Sequence, residues 1–117
     1  MGRKAKVDYD QENDILWVYS GEKVRDSLEI DNFVIDFSHA DKVVGVEIMN
    51  ASEVISRLAL GKVSKGALAS LREASISLYQ GRELSYVVIG LSVAIDNKIR
   101  EIPIQVPAPR VAVAVRG

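Results

Sequence analysis

The chain has 117 residues, with 15 basic and 16 acidic side chains, one histidine and no cysteine. That length supports a core without covalent staples, and the missing cysteine excludes disulfides, thiol catalysis and thiolate metal sites. A formal net charge of −1 gives no bulk attraction for nucleic acid or another polyanion.

In chain order, Val7 and Tyr9 alternate with Asp8 and Asp10, the polar run "DQEND" turns, and "ILWVYS" follows as a β-branched and aromatic strand. The pattern predicts a hairpin. "VRDSLEI" predicts a short, half-polar strand. "NFVIDFS" predicts another, with Phe33, Ile35 and Phe37 on one face and Val34, Asp36 and Ser38 on the other. After the turn "HADK", "VVGVEIM" is expected to point Val44, Val46 and Ile48 inward, with Gly45 marking a bulge or a bulky cross-strand neighbour. The period then changes. Asn50, with Glu53 three residues later, predicts a capped helix carrying Val54, Ile55, Leu58 and Ala59 on one face and ending near Gly61. A second short helix is expected from Ser64 to about Arg72, burying Leu68 and Leu71.

Strands return after residue 73. "ASISLY", a turn at "GR", and the long run "ELSYVVIGLSVAI" place Val87, Ile89, Leu91, Val93 and Ile95 on one face. "DNK" predicts a hairpin into "IREIPIQV", whose Ile102, Ile104 and Val106 share a face. Pro103 cannot donate to a ladder, so this strand is expected at a sheet edge or a bulge. The tail "RVAVAVRG" reads as a final strand or a segment for strand addition to a neighbour. The fold class expected is α+β: largely antiparallel sheet built from hairpins, with one or two short helices in mid-chain, in one domain over 1–117. Within it, 5–53 form the hairpin region, 54–72 the helical segment and 73–117 a C-terminal β region.

"VDYDQENDILWVYSG" followed by "FVIDFSHADKVVGVEIMNAS" resembles a bacterial and archaeal family called domain of unknown function 2283. The resemblance covers roughly residues 5–53. It rests on Tyr9 and Asp10, Ile15 to Tyr19, then Val43, Val44, Gly45, Glu47, Ala51 and Ser52. It implies a shape and no mechanism. Some members stand in gene pairs suggestive of toxin–antitoxin modules, which implies a protein partner. The chain departs from the family at Ser38–Lys42, where members often carry an acidic, glycine-containing turn.

Four constellations invite chemistry. Asp8, Asp10, Glu12 and Asp14 crowd one turn, but Asn13 and Tyr19 stand where a calcium loop needs glycine and glutamate, so a solvated turn is expected. Asp36, Ser38, His39 and Asp41 lack the glycine-flanked elbow of a serine hydrolase, and one histidine with two aspartates is a thin metal set. Glu47 lies opposite the inward face beside Gly45 and is expected to pair with a lysine or arginine across a strand. Trp17 has apolar neighbours on both sides and is expected in the core rather than at an interface. No phosphate loop and no dinucleotide fingerprint is present.

These readings give no catalytic residue, cofactor or metal, with Glu47, Asp36, Asp10 and Trp17 as the positions to inspect. The expected protein is a soluble, cytoplasmic, non-enzymatic binding or assembly module. It self-associates or binds another protein, and neither nucleic acid nor membrane. Two features favour this. "ILWVYS" and "VVIGLSVAI" are apolar on both faces, more than two short helices cover. Charge is also divided, with 7 basic and 12 acidic side chains in residues 1–59 against 8 and 4 in residues 60–117. The rivals are a carboxylate-dependent metalloenzyme using Glu47, Asp36 and Asp10, and an antitoxin-like partner of a small toxin.

Overall fold

A computed structural model describes residues 3–40, 42–59, 61–71, 73–80, 85–95 and 97–108. The turn at Gly81–Arg82, Asp41, Arg72, Asp96 and the tail from Arg110 onward, all singled out above, lie outside these residues.

Strands β1 (Arg3–Asp10), β2 (Ile15–Tyr19), β3 (Asp26–Ile30), β4 (Phe33–Phe37) and β5 (Val43–Met49) precede helices α1 (Ala51–Ala59) and α2 (Lys65–Ala69). Strands β6 (Ala74–Gln80), β7 (Ser85–Ile95) and β8 (Lys98–Ala108) complete the described chain. They form one eight-stranded sheet in the order β3-β4-β5-β2-β1-β6-β7-β8. Every neighbouring pair is antiparallel. The molecule is α+β in the broad sense and dominated by strands curled into a half-barrel.

Strand β1 is the joint. Its residues Lys6–Asp10 pair with β2, while Arg3–Ala5 pair with Ile76–Ala74 of β6. Changing partners along one strand lets the sheet turn on itself, so β5 and β6, three places apart in the order, come into contact. The inward faces of both halves then share one core with the helices: Leu16, Val18 and Ile48 meet Ile89, Leu91 and Ile104 around Ile55 and Leu68, all essentially without solvent exposure. The two short helices alone do not cover the inward-facing strand surface. The sheet's own curl covers it.

Three local readings change. Phe37 pairs with Val43 while Asp36 pairs with Gly45, so the bulge falls at Val44. An extra residue inverts alternation; Val43 therefore joins the core cluster, and Val44 is buried outside it. Trp17 is not in the core. Leu16 and Val18 take the inward positions of β2, leaving Trp17 half-buried on the outer face, stacked on Tyr19 with ring centroids 4.1 Å apart. The capping box at Asn50 does not form. Asn50 is left-handed, at φ 52°, and its amide donates to Asn32 Oδ1 instead.

Other elements match their patterns. Ser64 caps α2 by accepting from the Ala67 N–H, Leu68 is buried, and Leu71 packs against the core. Val54, Ile55 and Ala59 are buried on α1, but Leu58 is half exposed. Strand β8 lies at an edge of the sheet among the described residues, one of the two positions Pro103 allows.

Candidate functional site

The hairpin turn between β1 and β2 ends on Asp14, which adopts φ 55°, a left-handed conformation that aspartate tolerates better than most residues. That geometry turns its carboxylate toward the start of α1. Asp14 Oδ1 accepts from the Ser52 N–H at 3.0 Å, and Oδ2 accepts from Ser52 Oγ at 2.7 Å. Its backbone carbonyl accepts from the Ala51 N–H at 2.9 Å. A side chain 38 residues away thus performs the capping that an N-cap residue usually supplies. From β1, the Tyr9 hydroxyl donates to the same Oδ1 at 2.6 Å.

Burial pushes the Asp14 carboxyl upward, but hydrogen bonds from Tyr9 and Ser52, with Lys65 nearby, outweigh it and hold the group below its ordinary range. For Tyr9, burial comes first and the bonded, charged Asp14 second; together they keep the phenol protonated far above its usual value. A carboxylate already bound by three donors is a weak base, and a phenol that resists ionisation is a poor nucleophile. The trio locks hairpin to helix.

A second constellation lies on the outer face of β2, β4 and β5. Asp36 pairs with Gly45, and Gly45 with Tyr19; one step along, Val34 pairs with Glu47, and Glu47 with Trp17. A Cβ on Gly45 stands 2.9 Å from Asp36 Oδ2 and 3.1 Å from Trp17 Nε1. Glycine is required because the carboxylate and the indole close over it. Asp36 is 6% exposed and accepts from Ser27 Oγ at 2.6 Å. The indole N–H is buried without a hydrogen-bond partner among the described residues.

The inspected residues therefore separate. Asp36, Glu47 and Trp17 share one face of adjacent strands. Asp10 does not join them: it pairs with Ile15, four residues along β2 from the level of Asp36, an offset of roughly 13 Å along the strand, and it lies three strands across the sheet from β4. Its carboxylate instead accepts from the Asn13 backbone and side chain, contacts that hold it below its ordinary range. Among the described residues no group of three or more histidines or carboxylates is placed to hold a metal ion. Glu47 faces Trp17 and Val34, with no lysine or arginine paired to it among the described residues. Ser38 organises its own turn, accepting from the Ala40 and Lys42 N–H groups, and His39 is exposed.

Two concavities adjoin these elements. A groove of about 640 Å³ runs beside the Asp14–Ser52 contact, lined by Arg57, Lys62 and Lys65. A furrow of about 380 Å³ crosses the outer face of β6 and β7, where Gly90 lies against Ser75.

Residues 6–52 match the family described as a protein of unknown function, DUF2283. The matched segment holds both the Tyr9–Asp14–Ser52 lock and the Trp17–Asp36–Gly45 cluster. An uncharacterized protein of Methanocaldococcus jannaschii is 48% identical over 54 residues, covering 45% of this chain and 47% of that protein. A Methanosarcina mazei protein, provisionally named a hypoxanthine phosphoribosyltransferase, is 40% identical over 49 residues, 41% of this chain and 40% of its own length. The chain thus spans under half the length of these relatives. No solved structure matches it. No helix among the described residues is long and apolar enough to cross a membrane.

Proposed function

We propose that this chain is a non-enzymatic assembly module whose partner is a second copy of itself. One observation carries the reading: the outward strand positions of β6, β7 and β8 hold little charge, with Lys4 and Glu73 at the border of the furrow that crosses them. Those positions run Ser75, Ser77 and Tyr79 on β6, then Tyr86 to Ala94 on β7, and Ile99 to Pro107 on β8; Glu101 is the one charged residue among them. Tyr79 stacks on Tyr86 at 5.7 Å and is 60% exposed, and Ile99 is 80% exposed.

The outer face of β1 to β5 is different, carrying Lys6, Asp8, Glu29, Asp36 and Glu47. A twofold contact lays a patch on its own copy, so a patch with an excess of one charge sign repels itself and a neutral one does not. Exposed aromatic and aliphatic side chains supply the burial. The phosphoribosyltransferase activity in the Methanosarcina mazei protein's name is not carried over, because the match covers 40% of that protein.

The test is light scattering on the chain and on a Tyr79→Glu, Ile99→Glu variant. The reading expects the native chain to be larger than a monomer and the variant to be monomeric. Equal masses for the two would overturn this face as the contact.

A further inference from the structure

We propose that the outer face of β1 to β5 binds a basic, extended peptide segment of another protein, one that presents cationic side chains at every third position. The surface is separate from the β6–β8 face and needs no second copy.

Strand pairing aligns five outward residues in one row: Glu29 on β3, Val34 on β4, Glu47 on β5, Trp17 on β2 and Asp8 on β1. Carboxylates and apolar side chains alternate along it. Asp8 and Glu29 are exposed and Glu47 is half-buried. None of these three carboxylates is ion-paired among the described residues. Asp8 accepts from the Tyr19 hydroxyl at 3.2 Å. The adjoining row runs Ser27, Asp36, Gly45, Tyr19 and Lys6. Over the two rows, Asp8, Glu29, Asp36 and Glu47 stand against Lys6 alone. An excess of that sign selects a partner of the opposite one.

Spacing narrows the ligand further. Neighbouring strands lie about 4.8 Å apart, so successive carboxylates of the row stand about 9.6 Å apart. A polyproline-type helix has three residues per turn and rises about 3.1 Å per residue, which returns a side chain to the same side every ~9.3 Å. Laid across the strands, such a segment sets one cation at each carboxylate and its apolar stretches over Val34 and Trp17. The half-buried indole, stacked on Tyr19 at 4.1 Å, lies between Glu47 and Asp8. That is a setting in which a guanidinium stacks on the ring and pairs with a neighbouring carboxylate.

Trp17 is the single tryptophan, so fluorescence reads the row directly. The full-length chain is titrated, by fluorescence and by calorimetry, with three blocked peptides. One carries three arginines, each separated from the next by two prolines. The second is an isomer with its arginines adjacent, and the third is the spaced form with glutamate for arginine. The proposal expects saturable binding of the spaced peptide, binding of the isomer weaker by about fivefold or more, and none of the glutamate form. A Glu29→Gln, Glu47→Gln variant should bind the spaced peptide about fivefold more weakly or worse. A Glu53→Gln, Glu101→Gln variant loses the same charge elsewhere and should bind as the native chain does. Circular dichroism checks that both variants fold. No saturable binding of the spaced peptide overturns the proposal. Equal affinity for the two isomers overturns the spacing, and equal weakening in the two variants overturns the row as the site. Sedimentation without peptide reads the β6–β8 contact, so either reading can fail alone.

Discussion

Ser52 gives Asp14 both its backbone N–H and its hydroxyl, at 3.0 and 2.7 Å, and so fastens the first turn of α1 to a hairpin 38 residues earlier. Replacing Asp14 by alanine removes the cap and strands the Tyr9 hydroxyl. The expected loss is about 2 kcal/mol, the upper end for a cap, measured as a lower urea midpoint. Asp14→Asn tolerates the same backbone and keeps one acceptor, so its loss is smaller.

The same carboxylate makes stability depend on pH. Its folded pKa is lowered from an ordinary 3.8, so the folded state binds the proton more weakly than the unfolded chain does. Its contribution is complete above 3.8 and declines as pH falls through the lowered folded value. Urea midpoints of the native chain and Asp14→Asn should therefore converge as the medium is acidified. A gap that stays constant to low pH would remove Asp14 as the titrating group.

Tyr9 carries the opposite sign. Its pKa is raised by burial and by Asp14, so the stability it contributes is present below 10.0 and is lost as pH rises. In an alkaline absorbance titration its phenol should be missing from the readily ionised tyrosines. Tyr9→Phe should leave the accessible part of that titration unchanged.

Gly45 is the tightest glycine of the matched segment. Gly45→Ala puts a methyl 2.9 Å from a buried carboxylate oxygen and 3.1 Å from the indole nitrogen. Overpacking of this kind costs about 1–3 kcal/mol. Trp17 is the single tryptophan, so the displacement should shift the intrinsic fluorescence of the folded state, whereas Gly61→Ala, in open surroundings, should not.

Ser56 closes the α1–α2 connection, donating to the Ser52 carbonyl at 2.6 Å and accepting from the Val63 N–H at 2.8 Å. Val63 is 2% exposed, so Ser56→Ala leaves its N–H without a partner. The expected cost is about 1–3 kcal/mol, against a near-neutral Ser70→Ala on the exposed end of α2.

Strand identity and face were legible from alternation, because a period of two is written into Val87 to Ile95 and Ile102 to Val106 whatever their neighbours do. Pro103 narrowed β8 to a sheet edge or a bulge, and the described sheet ends on it. The Asp14 lock was not. An acidic residue in a polar turn carries no local sign that a helix 38 residues on will dock against it, and Asn50 with Glu53 offered a local substitute. The left-handed Asp14 and Asn50 decide between the two caps, and dihedrals are not read from residue type. Trp17 was misplaced because "ILWVYS" is apolar on both sides. The partners that choose its face, Gly45 and Asp36, come from two other strands.

Sedimentation equilibrium of the native full-length chain, from sub-micromolar to high micromolar concentration, tests the assembly reading most directly. A mass that rises with concentration to a dimer or beyond is the expected result; a single monomer mass across the whole range would contradict it.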